Sequence, residues 1–239
     1  CQGIVEAGPK ILGRLDGTLP QAGELTPDLV ARALGLPVAA SEPSPLVRPR
    51  PPRLCQGCPH IFAYNAIKEA LGPENREHVF ADIGCYTLGA LPPFDIINAC
   101  VDMGASISMA KGAADAGVRP VVAVIGDSTF THSGMTSLLD AVWANAPITV
   151  VILDNYTTGM TGGQDSAAYG KLESIVRGLG VAAEHFKILD PHPSRHAVNV
   201  EALRTELAHE GLSVVVFQRE CIQTIRRKHK SPKAETQSE

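Results

Sequence analysis

Two short runs constrain this chain more than anything else in it: "VVAVIG" at 121–126 and "ITVVILDN" at 148–155. Each is a continuous series of aliphatic and β-branched residues, without the apolar–polar alternation of a strand that keeps one face in water. Such a run reads as a strand buried on both faces, which is the habit of parallel sheets covered by helices. The interval between them has the length of one helix, "GMTSLLDAVWANA" at 134–146, with Ser133 in position to cap it. The same rhythm extends outward. "HIFAYNAIKEAL" (60–71), "SISMAKGAADAG" (106–117) and "KLESIVRGLG" (171–180) have helical character, while "HVFADIG" (78–84) and "LSVVVFQRE" (212–220) read as strands. The alternation predicts an α/β fold: a mostly parallel sheet with helices on both faces.

The remainder divides into appendages. Residues 1–36 form an N-terminal segment with one short helix in "ELTPDLVARALGL", where Thr26 caps and Pro27 suits the first turn. Residues 37–53 carry prolines without apolar periodicity and read as an extended linker or arm. The compact domain is expected over 54–222, with a polar tail over 223–239. A chain that opens on Cys1 reads as a trimmed or processed piece. Net charge is −4, so no general basic excess points to nucleic acid, and the run "RRKHK" at 226–230 reads as solvated tail. No apolar run approaches the roughly 20 residues of a membrane span, and no signal-peptide pattern opens the chain, so the expected location is the cytoplasm.

Polar residues gather where the two buried strands end. In open parallel sheets, ligands sit beyond the carboxyl ends of strands. "VVAVIG" leads into Asp127-Ser128, and "ITVVIL" into Asp154-Asn155, with residues 129–153 between the two pairs. Two consecutive parallel strands thus bring Asp127 and Asn155 to one edge. Their hard oxygens, with a backbone carbonyl and phosphate oxygens, suit octahedral Mg²⁺. The loop "LDNYTTGMTGGQ" (153–164) adds Gly159, Gly162 and Gly163, which let backbone N–H groups approach an anion, and the hydroxyls of Thr157, Thr158 and Thr161. A second constellation is cysteine-based. Cys55-x-x-Cys58 opens the domain, Cys85 follows a strand and Cys221 follows the last one. Four thiolates suit zinc or an iron-sulfur cluster, and spacing does not choose between them. Cys1 and Cys100 read as structural.

These residues carry a resemblance. "GDS" and, after the helix–strand interval, "DN" are similar to the GDG…NN motif of thiamine-diphosphate enzymes; Ser128 and Asp154 depart from its commonest letters. More narrowly, "LCQGCPH", "ADIGCYTLG", "MGASISMAKG", "GDSTFTHSGMTSLLDAV" and "LDNYTTGMTGGQ" together resemble the thiamine-diphosphate-binding domain of the alpha subunit of indolepyruvate:ferredoxin oxidoreductase, in the 2-oxoacid:acceptor oxidoreductase family. The similarity spans about residues 50–222, and "GELTPDLVARAL" resembles the segment preceding that domain. The resemblance implies the diphosphate-side domain of the thiamine-diphosphate-binding fold. It implies Mg²⁺ on Asp127, Asn155 and the carbonyl of Thr157, with diphosphate contacts from Gly126, Ser128, Thr129, Gly159, Met160 and Thr161. It maps a 4Fe-4S cluster onto Cys55, Cys58, Cys85 and Cys221.

His60, directly after C-x-x-C-P, and His132, just past the diphosphate strand end, are candidates for an active-site role. The implied activity is oxidative decarboxylation of a 2-oxoacid, an arylpyruvate such as indolepyruvate, to an acyl-CoA. Coenzyme A takes the acyl group, and electrons pass through iron-sulfur centres to ferredoxin. Family chains also carry a pyrimidine-side domain, whose glutamate acts on the cofactor ring, and a ferredoxin-like double cluster. Neither is expected here; Glu69 and Glu74 read as solvated acids. A hetero-oligomer is therefore expected, with partner subunits supplying the pyrimidine-side domain and further redox centres. Two other readings are a non-oxidative thiamine-diphosphate decarboxylase subunit, and a zinc-stapled, non-catalytic subunit of the same fold.

Overall fold

The structure is a computed structural model that describes residues 12–39, 46 and 52–230. Cys1, most of the proline-rich arm and the last part of the polar tail lie outside the described residues. The chain divides into two units, Cys1–Pro51 and Pro52–Glu239. The first contains helix α1 (Pro27–Ala33), where the Thr26 hydroxyl accepts the Leu29 N–H at 3.3 Å and Pro27 occupies the first turn.

The second unit is built on a sheet. In chain order it runs α2 (Pro59–Leu71), β1 (Val79–Ala81), β2 (Ala99–Cys100), α3 (Ala105–Asp115) and β3 (Val122–Gly126). A short α4 (Asp127–Thr129) then passes through a π-helical turn, Phe130–Gly134, into α5 (Met135–Trp143). Next come β4 (Thr149–Asp154), a small hairpin of β5 (Thr157–Thr158) and β6 (Gln164–Asp165), α6 (Leu172–Gly178), β7 (Phe186–Leu189), α7 (His196–Leu207), β8 (Ser213–Gln218) and α8 (Ile222–Lys230). The main sheet has six strands in the order β2-β1-β3-β4-β8-β7, and every pairing in it is parallel.

The continuous apolar runs are explained by their two faces. Ala123, Ile125, Val150, Ile152, Val214 and Val216 point to one core, shared with α3, α5 and α6. The intervening Val122, Val124, Val151, Leu153, Val215 and Phe217 point to the other, shared with α2 and α7. A period of two inside an unbroken apolar run is what two covered faces require.

Three features depart from the sequence reading. The helix after β3 does not begin at a Ser133 cap. It begins at Asp127, directly off the strand, and the Ser133 hydroxyl donates to the Met103 carbonyl at 2.7 Å. Helix α7 and edge strand β7 had no visible signal. In α7, Val200 and Leu203 are buried beside the polar Asn199 and Glu206, so its buried face is not apolar. Glu206 is nonetheless satisfied: it accepts from the Ser213 hydroxyl at 2.8 Å and meets the His185 ring at 3.0 Å. Finally, 223–230, assigned from sequence to the tail, is helical, within a helix that begins at Ile222. Among the described residues no helix is long and apolar enough to cross a membrane.

Candidate functional site

The site forms where β3 and β4 end side by side. Their register pairs Gly126 with Leu153, which sets Asp127 level with Asp154 and one residue short of Asn155. Gly126 is needed for space: a Cβ there would fall 2.5 Å from the Tyr86 ring. Beyond β4 the chain reverses through Tyr156, which holds a left-handed φ of 63°, and enters the β5–β6 hairpin. A bulky residue in that region is strained by about 1–3 kcal/mol and persists only where its surroundings fix it. Here the Asp154 carboxylate accepts the Tyr156 N–H at 3.0 Å.

A cavity of ≈ 220 Å³ opens between the strand ends. Gly126, Asp127, Ser128 and Thr129 line one side, and Asn155, Thr157, Gly159, Met160 and Thr161 the other. The Thr158 hydroxyl ties the halves together, donating to Ser128 Oγ at 3.0 Å. His60, Cys85 and Tyr86 close the base. His132 is not brought to this cavity; it is exposed and its ring contacts the Ser133 hydroxyl at 3.1 Å. Glu69 pairs with His196 on the surface at 2.7 Å, and neither it nor Glu74 lines the cavity.

The two acids at the strand ends differ. Asp154 is satisfied, its oxygens accepting the Tyr156 N–H and, at 2.9 Å, the Gln218 amide. Asp127 is 3% exposed, and its Oδ2 has no hydrogen-bond partner. Burial, and then the charge of Asp154, push its carboxyl up to about 7, against the Ser166 hydroxyl and the Ser128 N–H. A buried carboxylate oxygen with nothing to accept from is poised for a cation. Asn155 faces the same space. Its Oδ1 accepts the Thr157 N–H at 3.1 Å, and its Nδ2 lies 3.2 Å from His60 Nε2. Burial lowers the His60 pKa to about 4, so the ring is neutral and accepts the Asn155 amide proton through Nε2. The Thr157 hydroxyl is turned away, donating to the Gln164 carbonyl at 2.9 Å.

Behind this cavity lies a second, of ≈ 120 Å³, lined by Cys55, Cys58, Cys85 and Cys221. His60, Asn155, Thr157, Gly159 and Cys85 line both, so one wall serves two spaces. A Cβ on Gly159 would meet Cys85 Sγ at 3.3 Å. Cys58 sits at the start of α2, in a turn where its N–H donates to the Cys55 carbonyl at 2.9 Å and Gly57 has φ of 80°. Burial pushes the Cys58 thiol up to about 12; the neighbouring Cys55, Cys221 and Cys85 raise it further, against a backbone hydrogen bond at His60. Among the described residues, no three His, Cys, Asp or Glu side chains converge tightly enough for a single metal ion. Cys100 stands apart, its thiol against the Asp82 carbonyl at 3.4 Å.

Sequence reasoning missed Tyr86, Ser166 and Arg227. Tyr86 was inside a quoted motif, yet nothing in the letters tells that its ring fills the space over Gly126 and Gly84.

A doubly covered parallel sheet, with a buried unpartnered carboxylate oxygen and a glycine-rich loop at adjacent strand ends, is the architecture of an α/β domain with a cavity beyond its strand ends. More particularly, residues 82–228 match the thiamine pyrophosphate enzyme family, C-terminal TPP binding domain, and the chain belongs to that family. Thiamine diphosphate is the cofactor this domain binds. The chain is 38% identical over 230 residues to indolepyruvate oxidoreductase subunit IorA of Methanothermobacter marburgensis, covering 88% of this chain and 37% of that protein. It is 36% identical over 236 residues to the Archaeoglobus fulgidus subunit of the same name, covering 89% and 37%. It thus spans little more than a third of these relatives. Among solved structures, 2-oxoglutarate:ferredoxin oxidoreductase from Magnetococcus marinus, with 2-oxoglutarate, coenzyme A and succinyl-CoA bound, shares the fold at a TM-score of 0.58 and 19% identity, over 80% of this chain and 75% of that one.

Proposed function

We propose that this chain is the diphosphate-side part of a subunit of a thiamine-diphosphate-dependent 2-oxoacid:ferredoxin oxidoreductase. The substrate class is arylpyruvate, indolepyruvate foremost, in keeping with the relatives' names. Coenzyme A takes the acyl group and ferredoxin the electrons. One observation carries the reading: a four-cysteine cavity shares a wall with the cofactor cavity. A non-oxidative decarboxylase has no use for thiols there, whereas an oxidase needs an electron acceptor near the cofactor. Four cysteines are a donor set for zinc or a 4Fe-4S cluster alike, and the need for a one-electron acceptor beside the cofactor is what favours the cluster. Free cysteines also suit the reducing cytoplasm.

Asp127, Asn155 and the Thr157 carbonyl would hold Mg²⁺, with the unpartnered Asp127 oxygen as the fit. Gly126, Ser128, Thr129, Gly159, Met160 and Thr161 would hold the diphosphate. When bound, thiamine diphosphate supplies the nucleophilic carbon for the 2-oxo group and the electron sink for loss of CO₂. A bound cluster supplies one-electron steps. His60 stays neutral and positions Asn155; His132, exposed, is given no step. In this reading the glutamate that acts on the cofactor ring belongs to a pyrimidine-side domain, and the chain works as part of a subunit among other subunits. The test is anaerobic isolation of the full-length assembly, with iron, zinc and thiamine diphosphate assayed together. Iron beyond that of the further redox centres, by about four per cofactor and lost in Cys55→Ser, is expected; zinc lost in that variant with iron unchanged would overturn the cluster assignment.

A further inference from the structure

Arg227 lies far along the sequence from the cofactor loop, in the basic run that reads from sequence as solvated tail, yet it touches the tip of that loop. Its Nη1 donates to the Gly162 carbonyl at 2.6 Å. It also packs so closely on Gly163 that a Cβ there would fall 2.4 Å from Nη1, at a φ of 84°. The helix carrying it is itself tied to the site. Cys221, one residue before α8, donates its N–H to the Asn155 carbonyl at 3.1 Å, and the Ile225 N–H donates back to the Cys221 carbonyl at 3.1 Å. Arg227, Gly163 and Cys221 all line the cysteine cavity.

We propose that Arg227 is a positioning residue: it straps the 159–163 loop to the helix that follows Cys221, holding the loop in its diphosphate-binding form. The role rests on the cofactor reading above. The loop is small-residue chain, and its remaining ties are short. Thr158 donates to Ser128, and Gln164 and Thr161 bond each other, the Gln164 amide donating to the Thr161 carbonyl at 2.7 Å. The hairpin closes on itself, the Gly163 N–H donating to the Thr158 carbonyl at 3.0 Å, while Thr158 ties its start to Ser128 and Arg227 ties its tip to the helix after Cys221. A guanidinium presents a rigid planar fork, so a carbonyl tied to it is held in direction as well as distance. Glycine at 163 serves the same contact, since it leaves room for the fork and accepts the left-handed backbone.

The test is thiamine diphosphate affinity with Mg²⁺, by calorimetry, in the full-length protein assembled with its partner subunits. Arg227→Gln should weaken binding roughly 3- to 10-fold, the effect of one hydrogen bond. The melting temperature without cofactor should stay within about 2 °C, as for an exposed substitution. Arg227→Lys should recover part of the affinity, which a merely structural lesion would not. Gly163→Ala should also weaken binding, and combining it with Arg227→Gln should give less than the sum, because both act on one contact. Wild-type affinity in Arg227→Gln overturns the strap. Failure of the unaltered protein to bind thiamine diphosphate overturns the cofactor reading itself, and the strap with it.

Discussion

Asp127 and His60 are both buried in protonation states that water would not choose, and they respond to pH in opposite directions. The Asp127 carboxyl moves from 3.8 to about 7 on folding. Between those values the folded chain holds a proton that the unfolded chain has released, so this stabilisation is present at low pH and lost as pH rises through about 7. Asp127→Asn should therefore stabilise the cofactor-free protein at pH 8 by roughly 1–3 kcal/mol, and by much less at pH 4, in urea titrations. The same variant should abolish Mg²⁺-dependent thiamine diphosphate binding; retained affinity would contradict the metal role. His60 runs the other way. Its pKa falls from 6.5 to about 4, so the unfolded chain binds the extra proton and stability is lost as pH falls from 6.5 through 4. His60→Gln keeps an acceptor for the Asn155 amide while removing that titration. Its stability should lose the acid-side slope, read from melting temperature against pH. Asp127, Asn155 and the glycines were visible in the sequence because strand ends and glycine-rich loops have local signatures. Tyr86 and Ser166 were not, because their roles exist only through partners distant in the chain.

At the level of elements, the transition from β3 to α4 decides how the site is presented. The helix begins at Asp127 without a loop, so the carboxylate is fixed at the very edge of the sheet. Gly126 makes the transition possible beneath Tyr86. Gly126→Ala should destabilise by about 1–3 kcal/mol through overpacking, with a matching loss of cofactor affinity. Tyr86→Ala in the same chain should restore part of the affinity. Helix α7 illustrates the limit of pattern reading. Its buried Glu206 satisfies His185 and Ser213 rather than repelling the core. Glu206→Ala should cost about 2–3 kcal/mol by orphaning those groups, measured by denaturant unfolding. A helix anchored through hydrogen bonds leaves a weak periodic signal, whereas α3 and α5, anchored through apolar faces, announced themselves.

The whole molecule is organised around one shared wall. His60, Cys85, Asn155, Thr157 and Gly159 face the cofactor cavity on one side and the cysteines on the other. Cys58→Ser in the full-length assembly should lower iron content while leaving thiamine diphosphate affinity within about threefold, since Cys58 lines the cysteine cavity and not the cofactor cavity. Loss of cofactor binding together with iron would mean that the wall needs the cluster to form. The sequence by itself determined the fold class and the identity of the two strand ends, because burial on both faces and a ligand at a strand's carboxyl end are local matters of residue type and spacing. Tertiary structure alone decided the rest: that Asp127 is the unsatisfied acid and Asp154 the satisfied one, that His60 reaches Asn155 while His132 points to solvent, and that Arg227 closes on the loop. Each of those depends on which distant groups are within about 3 Å, a distance set by packing and not by order along the chain.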